Sequence, residues 1–258
     1  MKLLKDLYAY RQLLKSNIKK EIRGKYKGSF LGVLWSFINP LLSALVYAIV
    51  FPIILKNSSP HYVTFIVVGI IPWTFFTTVL NQGTTCILIN AGIIKKVYFP
   101  REILPISVAT SGLVNFLISC IIIFIFLICS GIWFSVNIFY LPLIIITQYI
   151  LQLAIIFITS AINVYIRDAE YIINFIVMML FYATPILYSQ EMFIGTKFEW
   201  VIRINPFATI ITCYRDILFY KSAPHLKSLL VVLTFSVLLF FIGKAIFKKL
   251  EKGFAEEV

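Results

Sequence analysis

From Lys19 to Pro40 the chain reads KKEIRGKYKGSFLGVLWSFINP, a basic segment running straight into an apolar span with no flexible linker between them. Lys19, Lys20, Arg23, Lys25 and Lys27 surround a single acid, Glu21, and from Phe30 to Leu55 there is no charged side chain. Such a junction holds cations at lipid headgroups while the next helix enters hydrocarbon. It marks an integral membrane protein whose N-terminal segment stays on the inner side. A soluble alternative fails on composition: with 60% hydrophobic and 13% charged residues, 258 residues leave too few polar groups to coat a core. The net charge of +12 lies in the segments between apolar runs, so anionic lipid headgroups, not nucleic acid, are the expected counterpart.

A helix needs about 20 apolar residues to cross the hydrocarbon. Six spans are expected, near 31–55, 62–90, 104–130, 139–166, 171–189 and 227–248, giving an all-α fold in one membrane domain over 1–258. The second is interrupted by Pro72, Asn81 and Gln82, which a helix carries when neighbours satisfy its freed backbone groups. Within residues 1–30, Leu3, Leu7, Tyr10, Leu14, Ile18 and Ile22 fall on one helical stripe among lysines and arginines, an amphipathic helix for the interface. The first 29 residues are too charged to hold the apolar centre of a cleavable signal peptide. The segment 190–226 is too aromatic for a solvated loop, with Phe193, Phe198, Trp200, Phe207 and Tyr214 among its residues. One or two short helices lying in or dipping into the outer interface fit it, divided at Asn205-Pro206. With the N-terminus inside, the inner segments hold seventeen Lys and Arg and the outer ones six. Both termini are therefore expected in the cytoplasm, and the protein in the cytoplasmic membrane.

Several chemistries are missing from the sequence. Gly24-Lys25-Tyr26-Lys27-Gly28-Ser29 lacks the spacing and the preceding strand of a nucleotide-binding P-loop. His61 and His225 are isolated, the four cysteines have no ligand-like spacing, and no carboxylate lies within an expected span. A conventional enzyme, a metal site and a proton-driven pump are all disfavoured. Tyr47, Phe51, Asn81, Gln82, Tyr149, Gln152, Phe181, Tyr182 and Tyr188 are candidates to line a path, since aromatic faces stack on sugar C–H surfaces and amides satisfy hydroxyls. The competing reading is interfacial aromatic belts and amides that join helices.

The run from Arg23 through Tyr26, Lys27, Leu31, Gly32, Leu34 and Trp35 to Pro40 resembles the opening signature of ABC-2 type permeases, in the branch that exports cell-surface polysaccharides. Three further stretches resemble that branch in order: Lys95–Pro105, Asn163–Asp168 with Thr184–Tyr188, and Asn205–Phe207 through Tyr214–Asp216. The resemblance implies a homodimer joined to two copies of a separate ABC ATPase, which would hold ATP and Mg, leaving this chain without a cofactor. It implies a coupling helix around Lys95–Leu104, with Lys95, Lys96, Pro100, Arg101 and Glu102 registering the ATPase contact and Tyr98 and Phe99 as its buried anchors. It places short re-entrant helices in the outer segment, where Asn205, Tyr214, Arg215 and Asp216 lie, the last two as an ion pair or a sugar contact. Arg23, Lys25, Tyr26 and Lys27 would meet lipid headgroups, and the basic Arg23, Lys25 and Lys27 would attract the pyrophosphate of a polyprenyl-linked glycan. A permease for a drug or another lipid is the alternative within the family.

Overall fold

The computed structural model describes residues 7–24, 34–55, 61–193 and 195–258. Among these every regular element is a helix, as hydrocarbon demands of a chain that must satisfy its backbone internally. The main helices are α1 (Arg11–Gly24), α2 (Trp35–Leu55), α3 (Tyr62–Ile89), α4 (Ala91–Ile94), α5 (Ile103–Cys129) and α6 (Leu141–Tyr165). They continue with α7 (Ala169–Ala183), α8 (Glu199–Ile204), α9 (Pro206–Leu218), α10 (Leu226–Leu250) and α11 (Phe254–Glu257). Among the described residues, four segments are long and apolar enough to cross a membrane: Tyr62–Ile89, Ile103–Cys129, Val136–Tyr165 and Leu226–Glu257. The other two expected spans fall on α2, of 21 residues, and α7, of 15. The helix expected over 171–189 ends at Ala183, and Thr184–Tyr188 continues without helical structure. At 1.5 Å per residue α7 is roughly 22 Å long, short of the ~30 Å hydrocarbon core.

Side-chain bonds tie the helix ends into two groups. At one end Lys20 donates to Asn90 at 2.9 Å, Tyr165 donates to the Leu250 carbonyl at 2.7 Å, and Lys244 stands 4.0 Å from Glu102. At the other, Thr64 meets Ser130 at 2.5 Å, Tyr62 donates to the Leu187 carbonyl at 2.7 Å, and Asn137 donates to the Lys221 carbonyl at 2.9 Å. The first group is the end rich in Lys and Arg. There α1 packs against α5, with Leu14, Ile18 and Ile22 half-buried and Lys15, Lys19, Lys20 and Arg23 exposed.

α3 is the hub of the bundle, touching α2, α5, α6, α7 and α9. It runs unbroken through Pro72, whose carbonyl accepts from the Gln148 amide of α6 at 2.8 Å. Among the described helices, α6 and α10 share the most extensive contact. Phe157 packs edge-on against Phe240 and Phe247 at 5.8 and 5.3 Å, and Gly243 lets α10 approach so near that a Cβ there would lie 2.6 Å from the Ala154 carbonyl oxygen. Small residues are what permit such an approach between membrane helices. Gly243→Ala is expected to push the pair apart at a cost of about 1–3 kcal/mol, read as a lowered melting midpoint of the detergent-solubilised protein.

Candidate functional site

α3 is buried along most of its length but leaves one face open, and that face is polar. Asn81 and Gln82 are exposed, and Thr74, Thr77, Thr78 and Thr85 are half-buried beside them. The spacing is helical, so the six side chains form one stripe roughly 16 Å long that runs toward the basic end. The hydroxyls of Thr74 and Thr77 donate to the Ile70 and Thr74 carbonyls at 2.8 and 3.1 Å, leaving their oxygens as acceptors at the surface. Hydroxyls and amides turned toward lipid would be costly; turned toward a hydrated path they are an asset. An aromatic cluster adjoins the stripe: Phe181 lies 5.7 Å from Tyr47, 5.9 Å from Trp73 and 5.3 Å from Tyr182. Tyr47, Phe181 and Tyr182 thus form one cluster with Trp73, and Asn81 and Gln82 lie farther along the α3 stripe. The threonines and Trp73 were missed from sequence, although the 74-77-78-81-82-85 spacing was there to be seen. Tyr149 is bonded to Thr110 at 3.0 Å, joining α6 to α5, and Gln152 is fully buried with neither its amide nitrogen nor its oxygen hydrogen-bonded. The side chain of Phe51 lies outside the described residues.

At the basic end, the loop after α3 is held by its own chain. Asn90 stops α3 by donating to the Cys86 carbonyl at 2.8 Å, and the single turn α4 follows. The helix expected around Lys95–Leu104 is not formed over that range; turns and irregular backbone lead to α5 at Ile103, as Pro100 disfavours helix in Phe99. Lys95, Lys96 and Tyr98 point outward, Tyr98 being 92% exposed, around a concavity of about 190 Å³ that Phe99 and Arg101 also line. Phe99 is 5% exposed and belongs to this chain's own core, not to a surface a partner would meet. Arg101 donates to the Glu251 carbonyl and lies 5.8 Å over the Phe254 ring, while Glu102 is buried near Lys244. Phe254, fully buried against Phe247 and Tyr165, brings the C-terminal turn onto this loop. Arg23 is exposed at the end of α1; Lys25, Tyr26 and Lys27 lie outside the described residues.

The opposite end is built around α9, a 13-residue helix buried among α3, α6 and α10. Asn205 starts it, accepting from the Phe207 amide at 3.0 Å and donating to Thr184 at 2.9 Å and to the Ala183 carbonyl at 3.2 Å. Tyr214, fully buried, donates to Gln148 at 2.9 Å, so one chain of bonds runs from α9 through α6 to Pro72 in α3. Arg215 is 3% exposed, and its two Nη atoms donate to the carbonyls of Pro185, Ile186 and Tyr188. Its Cζ rests 3.5 Å from the Phe65 ring centroid. Gly69 makes room for it, since a Cβ there would stand 2.7 Å from Nη2. The carbonyls of the non-helical stretch after α7 are thereby satisfied by side chains, the condition for irregular backbone inside a membrane protein. Tyr188 closes the same hook by donating to the Tyr182 carbonyl at 2.6 Å. Arg215 is thus engaged with main chain and not with Asp216. Burial pushes the Asp216 carboxyl up to about 6, with His225 pulling the other way.

Residues 12–219 match the family described as ABC-2 type transporter. The chain is 35% identical over 205 residues, 79% of its length and 78% of the relative's, to the O-antigen export system permease protein RfbA of Klebsiella pneumoniae. It is 32% identical over 259 aligned positions, covering 100% of both chains, to the protein of the same name from Myxococcus xanthus.

Proposed function

We propose, since the chain belongs to the ABC-2 type transporter family, that it is the permease subunit of an exporter carrying a polysaccharide across the cytoplasmic membrane. Two copies face each other, a separate ATPase subunit supplies the energy, and the glycan travels attached to a polyprenyl pyrophosphate lipid. The observation that carries this reading is the open polar stripe of α3 beside the aromatic cluster of Tyr47, Trp73, Phe181 and Tyr182. Sugars present hydroxyls on their edges and C–H patches on their faces, and this surface offers a partner to each. A drug-like cargo would call for a mostly apolar pocket instead.

The two ends take roles from the same reading. The basic end is cytoplasmic, where Arg23, Lys25 and Lys27 draw the lipid's pyrophosphate to the inner leaflet. The loop of Lys95, Lys96 and Tyr98 seats in the ATPase, and Phe99, Arg101 and Glu102 pass its motion to α5, α10 and the C-terminal turn. The opposite end faces out; α7 is the fifth of six spans, α8 with α9 forms the re-entrant element at the exit, and both termini lie inside.

Proteoliposomes holding this permease and its ATPase should move lipid-linked glycan of the host to the opposite leaflet when ATP is supplied. Replacing Thr78, Asn81 and Gln82 together by leucine should lower that transfer about tenfold or more, because each leucine leaves sugar hydroxyls without a partner. Failure of the native proteins to transfer any glycan of the host would remove the export reading. Unchanged transfer by the triple variant would remove the stripe from the path.

A further inference from the structure

Between the start of α10 and the helix α9 lies a cavity of about 240 Å³, lined by Ser189, Gln190, Thr212, Asp216, Tyr220 and His225, among others. A smaller hollow of about 70 Å³ adjoins it and shares Gln190, Thr212, Asp216 and His225. It sits at the end opposite the coupling loop and away from the α3 stripe. Its volume lies below the range of about 300–1,000 Å³ of pockets for drug-sized ligands, and suits a single sugar ring.

The chemistry of the walls is selective. Asp216 Oδ2 is buried at this cavity and has no hydrogen-bond partner in the protein, so it is open to a donor from a ligand. The Gln190 carbonyl oxygen accepts from Thr212 at 3.3 Å, which leaves its NH2 free to donate. His225 is exposed at the mouth, and Tyr220, 52% exposed, offers a ring face. Arg215 lines the wall, but both of its Nη atoms are engaged by carbonyls and only its Nε lacks a partner, so no two-pronged guanidinium fork awaits a phosphate. Glu191 adds a second carboxylate at the rim. Acceptors outnumber free cations here. A carboxylate, an amide and a ring face make a site for vicinal hydroxyls, and a phosphorylated or acidic sugar would meet repulsion.

We infer that this cavity is a sugar-binding subsite, in which Asp216 and Gln190 hold the hydroxyls of one neutral sugar unit of the glycan as it leaves the path. The inference rests on the export reading above and adds to it a location and a sugar class. A subsite at the exit captures each emerging unit and opposes its return, so that successive strokes of the ATPase advance the chain.

The test uses the permease with its ATPase in nanodiscs. The probe is the host's surface polysaccharide released from its carrier by mild acid, with binding followed by saturation-transfer NMR. The native complex should give transfer to the sugar protons. Asp216→Asn should weaken apparent affinity about tenfold, the worth of one hydrogen bond to a charged group. Gln190→Ala with His225→Ala, on the loop and helix start, should do the same should Asp216→Asn elute as misfolded protein. Native complex that exports glycan but shows no transfer, or variants that bind as well as native, would overturn the subsite and leave export standing. Native complex that binds no glycan and exports none would instead overturn the function on which the subsite rests.

Discussion

Arg215→Met should lower the stability of the permease by about 3 kcal/mol and abolish glycan transfer. Methionine keeps much of the volume, but the carbonyls of Pro185, Ile186 and Tyr188 lose their donors in a buried place. Each orphaned carbonyl costs about 1–3 kcal/mol, and relief from burying a cation offsets part of the sum. Arg215→Lys should fare little better, because one ammonium cannot reproduce a planar fork that reaches several carbonyls while stacking on Phe65. Gly69→Ala attacks the same arrangement from the other side, its Cβ displacing the guanidinium, and should give a smaller loss of the same kind. Melting of the detergent-solubilised protein, followed by size-exclusion elution after heating, reads the effect. A midpoint for Arg215→Met within about 1 °C of native would show that the hook after α7 does not depend on this side chain.

That hook also shows where sequence reasoning stopped. The long helices were legible because lipid leaves an apolar run few alternatives, and the limits of α3, α5, α6 and α10 fall within a few residues of those expected. Residues 171–189 read as one such run, although Pro185 disfavours helix in Thr184 and starts the break there. What the local sequence does not show is that Arg215, Tyr62 and Asn205, all distant in sequence, supply donors to the carbonyls that the helix has released. The aromatic content of this segment suggests short helices in or dipping into the outer interface, not a helix buried among α3, α6 and α10 with Arg215 as its internal cation. A charged residue in a segment expected at the surface gave no sign that it would turn inward. The threonines of α3 escaped notice for another reason. Hydropathy treats them as nearly neutral, so only their shared face with Asn81 and Gln82 reveals them. In the loop after α3, residue types suggested Tyr98 and Phe99 as a pair of anchors. The fold separates them: Phe99 is buried in the core, Tyr98 is exposed, and Arg101 ties the loop to Phe254 and Glu251.

This separation makes the coupling assignment sharply testable, since neighbouring aromatics should fail in opposite ways. Tyr98→Ala removes a ring that is 92% exposed and touches little of its own chain, so the melting midpoint should stay at the native value. If the ring fills a pocket of the ATPase, its loss should cost about 2 kcal/mol of binding, roughly thirtyfold in affinity, and the ATPase should wash away from the tagged permease. Phe99→Ala empties a site that is 5% exposed and should cost about 3–5 kcal/mol of stability, with loss of transport following from a loosened loop. Arg101→Ala is intermediate: it frees the C-terminal turn from the loop, so ATP hydrolysis should continue while glycan transfer falls, the mark of lost coupling and not of lost docking. Pull-down of the ATPase, melting and transfer measured on the three variants distinguish these outcomes. Capture of the ATPase by Tyr98→Ala at native strength would exclude this loop as its seat. Loss of the ATPase from Phe99→Ala with an unchanged midpoint would mean that Phe99 turns outward and meets the partner directly.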